Sequence, residues 1–377
     1  MFFDNASTTQ IDPEVLKSSI DFNEKYYFNP GALYEGGRQV KSILDDCRSK
    51  IKNCIHAEDG NVVFTGSASE ANNLAIFGAT NKGMKKILVS IGEHPSVYNA
   101  AMELKCRGYN VEFVKLNKCG TIDVDDFKKK MTQDVAFVSI MHVSNETGAI
   151  NDIKSLVAYA KSINSKVIFH VDGVQACGKI EVNVYDLGVD MYTISAHKIY
   201  GPKGVGALYI SQGIKLKPIV YGGGQENGYR SGTENVMGVV MFTEALEKVT
   251  MNIKETYSYI LDLKEKFTCL LGQSGLKYKL HSDETCSPYI VSISFIGCRA
   301  ESLLNMLSDD GVYVGNGSAC SSRNSGNRIL ENMSVPHEEI ESNIRISFSK
   351  NNNLDEIDFL VEKIENNVCK YLKNTSI

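Results

Sequence analysis

The residue in this sequence best placed for covalent chemistry is Lys198. An apolar, strand-like run, Met191-Tyr192-Thr193-Ile194, ends in Ser195-Ala196-His197-Lys198. A Gly201-Pro202-Lys203-Gly204 turn and a second strand-like run, Val205 to Ile210, follow. The lysine is thus delivered by a strand end into a tight loop. Desolvated there, an amine loses its proton more readily and can form a Schiff base. Another strand-like run, Lys166 to Val171, ends in Asp172. A strand-end carboxylate with a strand-end lysine suits pyridoxal phosphate: the lysine holds the aldehyde and the acid keeps the ring nitrogen protonated. Taken alone, Lys198 reads as a surface lysine beside a turn, and other motifs must change that reading.

Several do. Gly66-Ser67-Ala68-Ser69-Glu70 follows a strand-like run and opens a helix, a place for a phosphate on aligned N–H groups. An ordinary serine cap with Glu70 behind it fits those residues equally. His94 in Gly92-Glu93-His94-Pro95-Ser96 suits stacking on a planar ring or acid–base work, or is simply a helix-entry residue. Asn145, Asp172 and Gln175 put polar side chains at successive strand ends, as a ligand pocket needs. The glycine-dense loop Gly222 to Asn235 closes with Arg230-Ser231-Gly232-Thr233 before a helix, which favours an anion contact over a flexible connector. Cys320 stands among small polar residues, Gly317-Ser318-Ala319 before it and Ser321-Ser322-Arg323 after it, where a partly exposed thiol gains thiolate character. Arg345, inside the apolar run Ile344 to Phe348, suits bidentate capture of a carboxylate; a salt-bridged edge-strand arginine is the alternative.

These residues need elements to hold them. From Asn61 the chain alternates: strands at 62–64, 87–90, 111–114, 135–141, 167–171, 191–195 and 207–210, with helices at 69–79, 95–107, 124–131 and 152–162 between them. Helices at 14–26 and 37–55 precede this region. The pattern predicts an α/β domain with a mostly parallel sheet covered on both faces, its ligands at the carboxyl ends of the strands. One helical stretch, Val236 to Leu271, leads to a smaller α+β region with strands at 290–295, 312–314 and 344–348 and helices near 300–308 and 355–372.

Composition excludes other classes. The chain has 377 residues, a size for two domains, with 43% hydrophobic and 23% charged residues. A net charge of −5 gives no reason for direct nucleic-acid binding. Met1-Phe2-Phe3-Asp4 has no basic segment before an apolar core, so no signal peptide is expected, and the apolar runs are too short for a membrane span. The ten cysteines form no C-x-x-C pair and no zinc-like set, which points to free thiols in a reducing cytoplasm. Cys54, Cys106 and Cys269 read as small core residues.

Together the segments His170–Gln175, Ser195–Gly204, Gly222–Asn235 and Gly317–Cys320 resemble the NifS/IscS-like cysteine desulfurases, in the class V aminotransferase group of fold-type I pyridoxal phosphate enzymes. The resemblance runs from Asp4-Asn5-Ala6-Ser7-Thr8-Thr9 to the C-terminal helix. It implies a residue 1–12 segment packed on the small domain, a cofactor-binding α/β domain at 13–250, and a small α+β domain at 251–377 carrying the cysteine loop. It implies that Lys198 holds the cofactor, Asp172 pairs with the ring nitrogen, His94 stacks on the ring and Gln175 meets the phenolic oxygen. Ala68, Ser69, Ser195 and His197 would hold the phosphate, with Thr233 from the second subunit of a homodimer. Asn145 and Arg345 would take the carboxylate of L-cysteine, and Cys320 would accept its sulfur as a persulfide for a sulfur-acceptor protein. Iron–sulfur cluster assembly and thio-cofactor or tRNA thiolation are the implied destinations.

The sequence departs from that family in places. Thr65-Gly66-Ser67-Ala68-Ser69-Glu70 replaces the usual Thr-Ser-Gly-Ala-Thr-Glu, and Tyr34 stands where a histidine is common. Arg323 to Asn327 replaces the usual Leu-Glu-Pro-Ser run, and Ser349-Lys350-Asn351 a glycine-containing turn. A selenocysteine lyase or another class V aminotransferase is the alternative enzyme, and a scaffold that lost activity is a further one.

Overall fold

A computed structural model describes residues 1–80, 83, 85–317 and 327–375. Its strands, in chain order, are β1 (Phe2–Phe3), β2 (Asn61–Thr65), β3 (Lys86–Ser90), β4 (Val111–Val114), β5 (Val135–Met141), β6 (Ile168–Asp172), β7 (Met191–Ser195), β8 (Gly206–Ile210), β9 (Tyr278–Leu280), β10 (Ile290–Phe295), β11 (Tyr313–Asn316) and β12 (Asn343–Ser347). The first sheet runs β2-β8-β7-β6-β5-β3-β4. Its strands from β3 to β7 pair in parallel, and β8 runs antiparallel to both β7 and β2. All but β8 therefore point the same way, which is the mostly parallel α/β sheet expected from the strand–helix alternation.

Both faces of this sheet are dry because alternate residues of one strand join different cores. Val62 and Phe64 pack with Leu44 and Ile51 of the Glu35–Cys54 helix, and with Phe242 and Leu246 of the Val236–Met251 helix. Val63, between them, packs with Leu74 of the Ala68–Ala79 helix and Leu104 of the Pro95–Cys106 helix. A covered strand of this kind presents residues to function only at its ends.

The second sheet runs β1-β11-β12-β10-β9. It has its own core, built on Phe295, Ile344, Ile346 and Phe348 against the Ile253–Gln273, Ala300–Asp309 and Leu354–Thr375 helices. The N-terminal strand β1 joins it, pairing in parallel with β11.

The helical stretch expected at 236–271 is two helices, broken at Asn252. The break has a packing cause. Val239, Phe242 and Leu246 bury against the first sheet, whereas Ile260, Leu263, Phe267 and Leu271 bury in the core of the second. One straight helix could not turn its apolar stripe to both. Strand β9 and the short helices Val184–Leu187, Arg328–Asn332 and His337–Glu341 went unread in the sequence; segments of three to five residues carry too little periodicity.

The cysteine expectation needs correcting. Cys47, Cys177, Cys286 and Cys298 are buried, but Cys54 is half-buried and Cys106 and Cys269 are exposed. Cys269 lies off the stripe defined by Phe267 and Leu271, so its helix turns it to solvent. Among the described residues no helix is long and apolar enough to cross a membrane.

Candidate active site

The carboxyl ends of β2, β3, β5, β6 and β7 meet at one rim of the first sheet, and β8 starts there. Register sets their level: Met141 of β5 pairs with Asp172 of β6, and Asp172 with Thr193 of β7. The chain leaves these ends into a cavity of about 280 Å³ that His94, Asn145, Asp172, Gln175, His197 and Lys198 all line. Ala68, Ser69, Ser195 and Arg345 line it as well. Residues spread over nearly three hundred positions of sequence thus converge.

Lys198 closes a short 3-10 turn, Ala196–Lys198, that starts directly at the end of β7. Its Nζ donates to the carbonyls of Ala6 (2.7 Å) and Ser7 (2.5 Å), so the N-terminal segment forms one wall. The same segment holds His197, whose Nδ1 lies 3.1 Å from Thr8 Oγ1. Burial, with Lys198, Lys203 and Lys179 nearby, pushes His197 down to about 4, so the ring is neutral near pH 7.

Asp172 is buried and held from two sides. Asn72 Nδ2 donates to Oδ2 at 2.8 Å, and the Val174 N–H to Oδ1 at 3.1 Å. Asn72 also donates to Ser96 Oγ at 2.9 Å, which ties the carboxylate to the His94 turn. His94 caps the Pro95–Cys106 helix, its Nδ1 accepting from the Ser96 N–H at 3.1 Å. That bond leaves the ring proton on Nε2. Burial lowers the His94 pKa against the opposing charge of Asp172, with Lys198 and Arg328 lowering it further.

The two readings of residues 66–70 prove compatible. Ser67 caps the Ala68–Ala79 helix, accepting from the Glu70 N–H at 3.2 Å, and the same helix start faces the cavity. Strand β8 passes close beneath it at Gly206, where a side-chain carbon would fall 2.8 Å from the Ala68 nitrogen. Ser195 Oγ is buried with no hydrogen-bond partner among the described residues.

Arg345 lies on β12, flanked by β11 and β10, and so is not an edge-strand residue. It is nevertheless ion-paired: Nη2 lies 2.7 Å from Asp4 Oδ1, and Nη1 donates to the Asn145 carbonyl at 2.8 Å. Its Nε and Asn145 Oδ1 are buried without partners among the described residues.

The Gly222–Asn235 loop departs from expectation. Arg230 faces no open anion site; its Nε pairs with Glu70 Oε1 at 2.7 Å, while Glu70 Oε2 accepts from the Gly66 N–H. Buried Glu226 takes both guanidinium nitrogens of Arg48, at 2.6 and 2.7 Å, and the Phe64 N–H at 2.8 Å. Two ion pairs thus pin the loop to the Glu35–Cys54 and Ala68–Ala79 helices, and one hydrogen bond ties it to β2. Thr233, on the same loop, is exposed and does not line the cavity. Tyr34 is also exposed and outside it.

Cys320 falls outside the described residues. The residues that bracket its segment are placed: Asn327 Nδ2 donates to the Gly317 carbonyl at 2.6 Å, and Asn316 pairs with Ile344 beside Arg345.

Sequence reasoning passed over Asp4, Ala6, Ser7, Asn72 and Ser96 as site residues. A signal existed for Asn72, four residues after Ala68 and so on the same helix face. For Ala6 and Ser7 there was none, since their contact with Lys198 spans almost two hundred residues.

The fold and rim geometry define a class, and comparison with known proteins agrees. The chain belongs to the class-V aminotransferase family, whose model matches residues 1–360. It is 35% identical over 365 residues to cysteine desulfurase IscS 1 of Archaeoglobus fulgidus, covering 96% of this chain and 95% of that one. It is 33% identical over 369 residues to a Clostridium botulinum cysteine desulfurase IscS, covering 96% and 92%. Among solved structures, a NifS-like protein superposes with a TM-score of 0.91 at 31% identity, covering 97% of this chain and 98% of that one. A structure of SspA in complex with cysteine gives 0.82 at 26% identity, covering 92% and 98%.

Proposed function

We propose that this chain is a pyridoxal-phosphate-dependent cysteine desulfurase, converting L-cysteine to L-alanine while the sulfur passes to Cys320 as a persulfide. The observation that carries the reading is the meeting of Lys198, Asp172, His94 and Arg345 in one cavity, in a chain of the class-V family. In the transfer an S–S bond forms at the Cys320 thiolate, the C–S bond of the substrate breaks, and the carbon left behind takes a proton.

The cavity suits the cofactor on its own chemistry. Ser195 Oγ lacks a partner among the described residues and lies beside a helix N-terminus, where a phosphate would find donors. Asp172 is a buried carboxylate held by donors, as a protonated ring nitrogen requires. Pyridoxal phosphate, when bound, supplies a sink for the electron pair released at the substrate α-carbon. Lys198 is the amine that would hold its aldehyde, and Ala68, Ser69, Ser195 and His197 would hold its phosphate. His94, neutral, would stack on the ring without adding charge, and Gln175 would donate to the ring oxygen.

Arg345 and Asn145 would orient the substrate carboxylate, with the Arg345 Nε–H, which has no partner among the described residues, and the Asn145 Nδ2 as donors. In the sequence Cys320 comes four residues after Asn316, the last residue of β11, which pairs with the Arg345 strand. Holding a thiolate against the bound sulfur supplies rate through proximity.

Thr233 would complete the phosphate site of a second copy, since it is exposed and outside this chain's own cavity. Exposed Leu16, Ile20, Tyr27 and Leu33 give such a homodimer apolar surface to cover. The persulfide would serve an acceptor protein in the cytoplasm, for iron–sulfur cluster or thio-cofactor assembly.

The test is incubation with L-cysteine and a reductant, measuring alanine and sulfide for the wild type and Cys320→Ala. Equal yields from the wild type and loss of sulfide in the variant are expected. Full sulfide release by the variant would remove Cys320 from the mechanism. Turnover of selenocysteine alone, or transamination without sulfide, would move the chain to the alternative enzymes.

A further inference from the structure

Behind Gln175, away from the rim, a lysine is buried that the proposed reaction does not use. Lys179 lies four residues on from Gln175 and is 6% exposed. Its ammonium has one hydrogen bond among the described residues, to Gln175 Oε1 at 2.6 Å. On the other side Gln175 Nε2 donates to the Ala6 carbonyl at 2.8 Å. The amide is therefore fixed in one orientation by both neighbours. A carbonyl only accepts and an ammonium only donates, so a flipped amide would set oxygen against oxygen and N–H against N–H. Lys198 Nζ donates to that same Ala6 oxygen at 2.7 Å. An acceptor close to the Lys198 amine is thus within reach of the Gln175 N–H₂.

We propose that Lys179 is a positioning residue that acts through Gln175, holding its amide so that N–H, not C=O, faces the ring oxygen of a cofactor on Lys198. The inference rests on the cofactor reading above. A donor on that oxygen favours the form in which the Lys198–cofactor linkage has lost its proton. Lys179 therefore lowers the pH at which that linkage deprotonates.

The groups facing Lys179 are mostly cationic. Lys198 and His197 follow β7, Arg345 is on β12 and Lys350 follows it, and Lys248 comes from the Val236–Met251 helix. Tyr200 is near, and the Tyr289 ring lies 5.6 Å from the ammonium. Asp12 holds Lys248 and Lys350, so its charge is taken up away from Lys179. Burial, with Lys198 and Arg345 behind it, brings Lys179 down to about 7.

The experiment reads the visible absorbance of lysine-bound pyridoxal phosphate against pH in the reconstituted protein. Lys179→Met is expected to raise the midpoint by about 0.5–1 pH unit, three- to tenfold in proton affinity. Gln175→Met should raise it alike, and the double variant should go no further than the larger single shift. Lys179→Arg keeps a donor, with a cavity of about 50 Å³ beside it to take the larger head, and should stay within about 0.2 unit of wild type. A smaller shift in Lys179→Met, additive shifts, or no rescue by arginine would each overturn the proposal. If Lys179→Met does not fold, Lys179→Leu, which likewise has no donor, is read in its place with the same outcomes. A wild type that forms no absorbing adduct reducible onto Lys198 defeats instead the cofactor reading, so the two failures are separable.

Discussion

Asp4 and Arg345, separated by nearly the whole chain, meet at 2.7 Å across the junction of the N-terminal segment and β12. The pair holds the guanidinium plane with Nε turned to buried space. Arg345→Lys keeps the charge and loses the fork. KM for L-cysteine is expected to rise about ten- to hundredfold, with a smaller fall in kcat, because a carboxylate contact serves ground and transition states alike. An unchanged KM would place the substrate carboxylate elsewhere.

Asn72 donates to Asp172 and to Ser96 from one amide nitrogen. Asn72→Asp sets a second carboxylate against the first, and like charges at that distance force one to take up a proton. Retention of pyridoxal phosphate through dialysis should fall about tenfold or more, whereas Asn72→Ala should weaken it less. Equal retention in both variants would show that the Asn72–Asp172 bond does not set the charge of Asp172.

Arg48 and Glu226 form a two-bond pair beneath the Gly222–Asn235 loop, and the Glu226 carboxylate is 2% exposed. Arg48→Ala leaves that carboxylate buried and uncompensated, at a cost of about 3–5 kcal/mol. Chemical denaturation should show the loss. If Thr233 serves a second copy, the same variant should dissociate at higher protein concentration than the wild type, a shift that analytical ultracentrifugation reads.

His170, buried on β6, lies with its ring nitrogens 2.8 and 3.0 Å from the Ser139 and Thr193 hydroxyls. Burial pushes it down to about 3. The unfolded chain therefore takes up this proton near pH 6.5 and the folded chain only near pH 3. Stability from the neutral ring is complete above about pH 6.5 and declines as the pH falls, by about 1.4 kcal/mol per pH unit. Urea midpoints between pH 7 and 4 should fall less steeply in His170→Gln. Parallel curves would show that the ring is not buried neutral.

How much was legible differs from residue to residue. Lys198, Asp172 and Asn145 could be found because each follows an apolar strand, and strand ends are where a covered sheet meets solvent. Arg345 stood out as a charge inside an apolar run. Arg230 was misread: its neighbours suggested an anion site, and only the fold supplied Glu70 as its partner. Helix 236–271 was read as continuous because both halves keep helical periodicity; that they face different cores is a property of the packing.

The sequence by itself determined the strand–helix order, the strand ends that carry reactive groups and the family, because periodicity and motif spacing are local. Only the tertiary structure decided that Ala6 and Ser7 wall the Lys198 site, that Asp4 pairs with Arg345, that Asn72 holds Asp172 and that Glu226 and Arg230 anchor a glycine-rich loop. Hydrogen bonds and ion pairs act over about 3 Å of space whatever the distance along the chain, so no spacing in the sequence announces them.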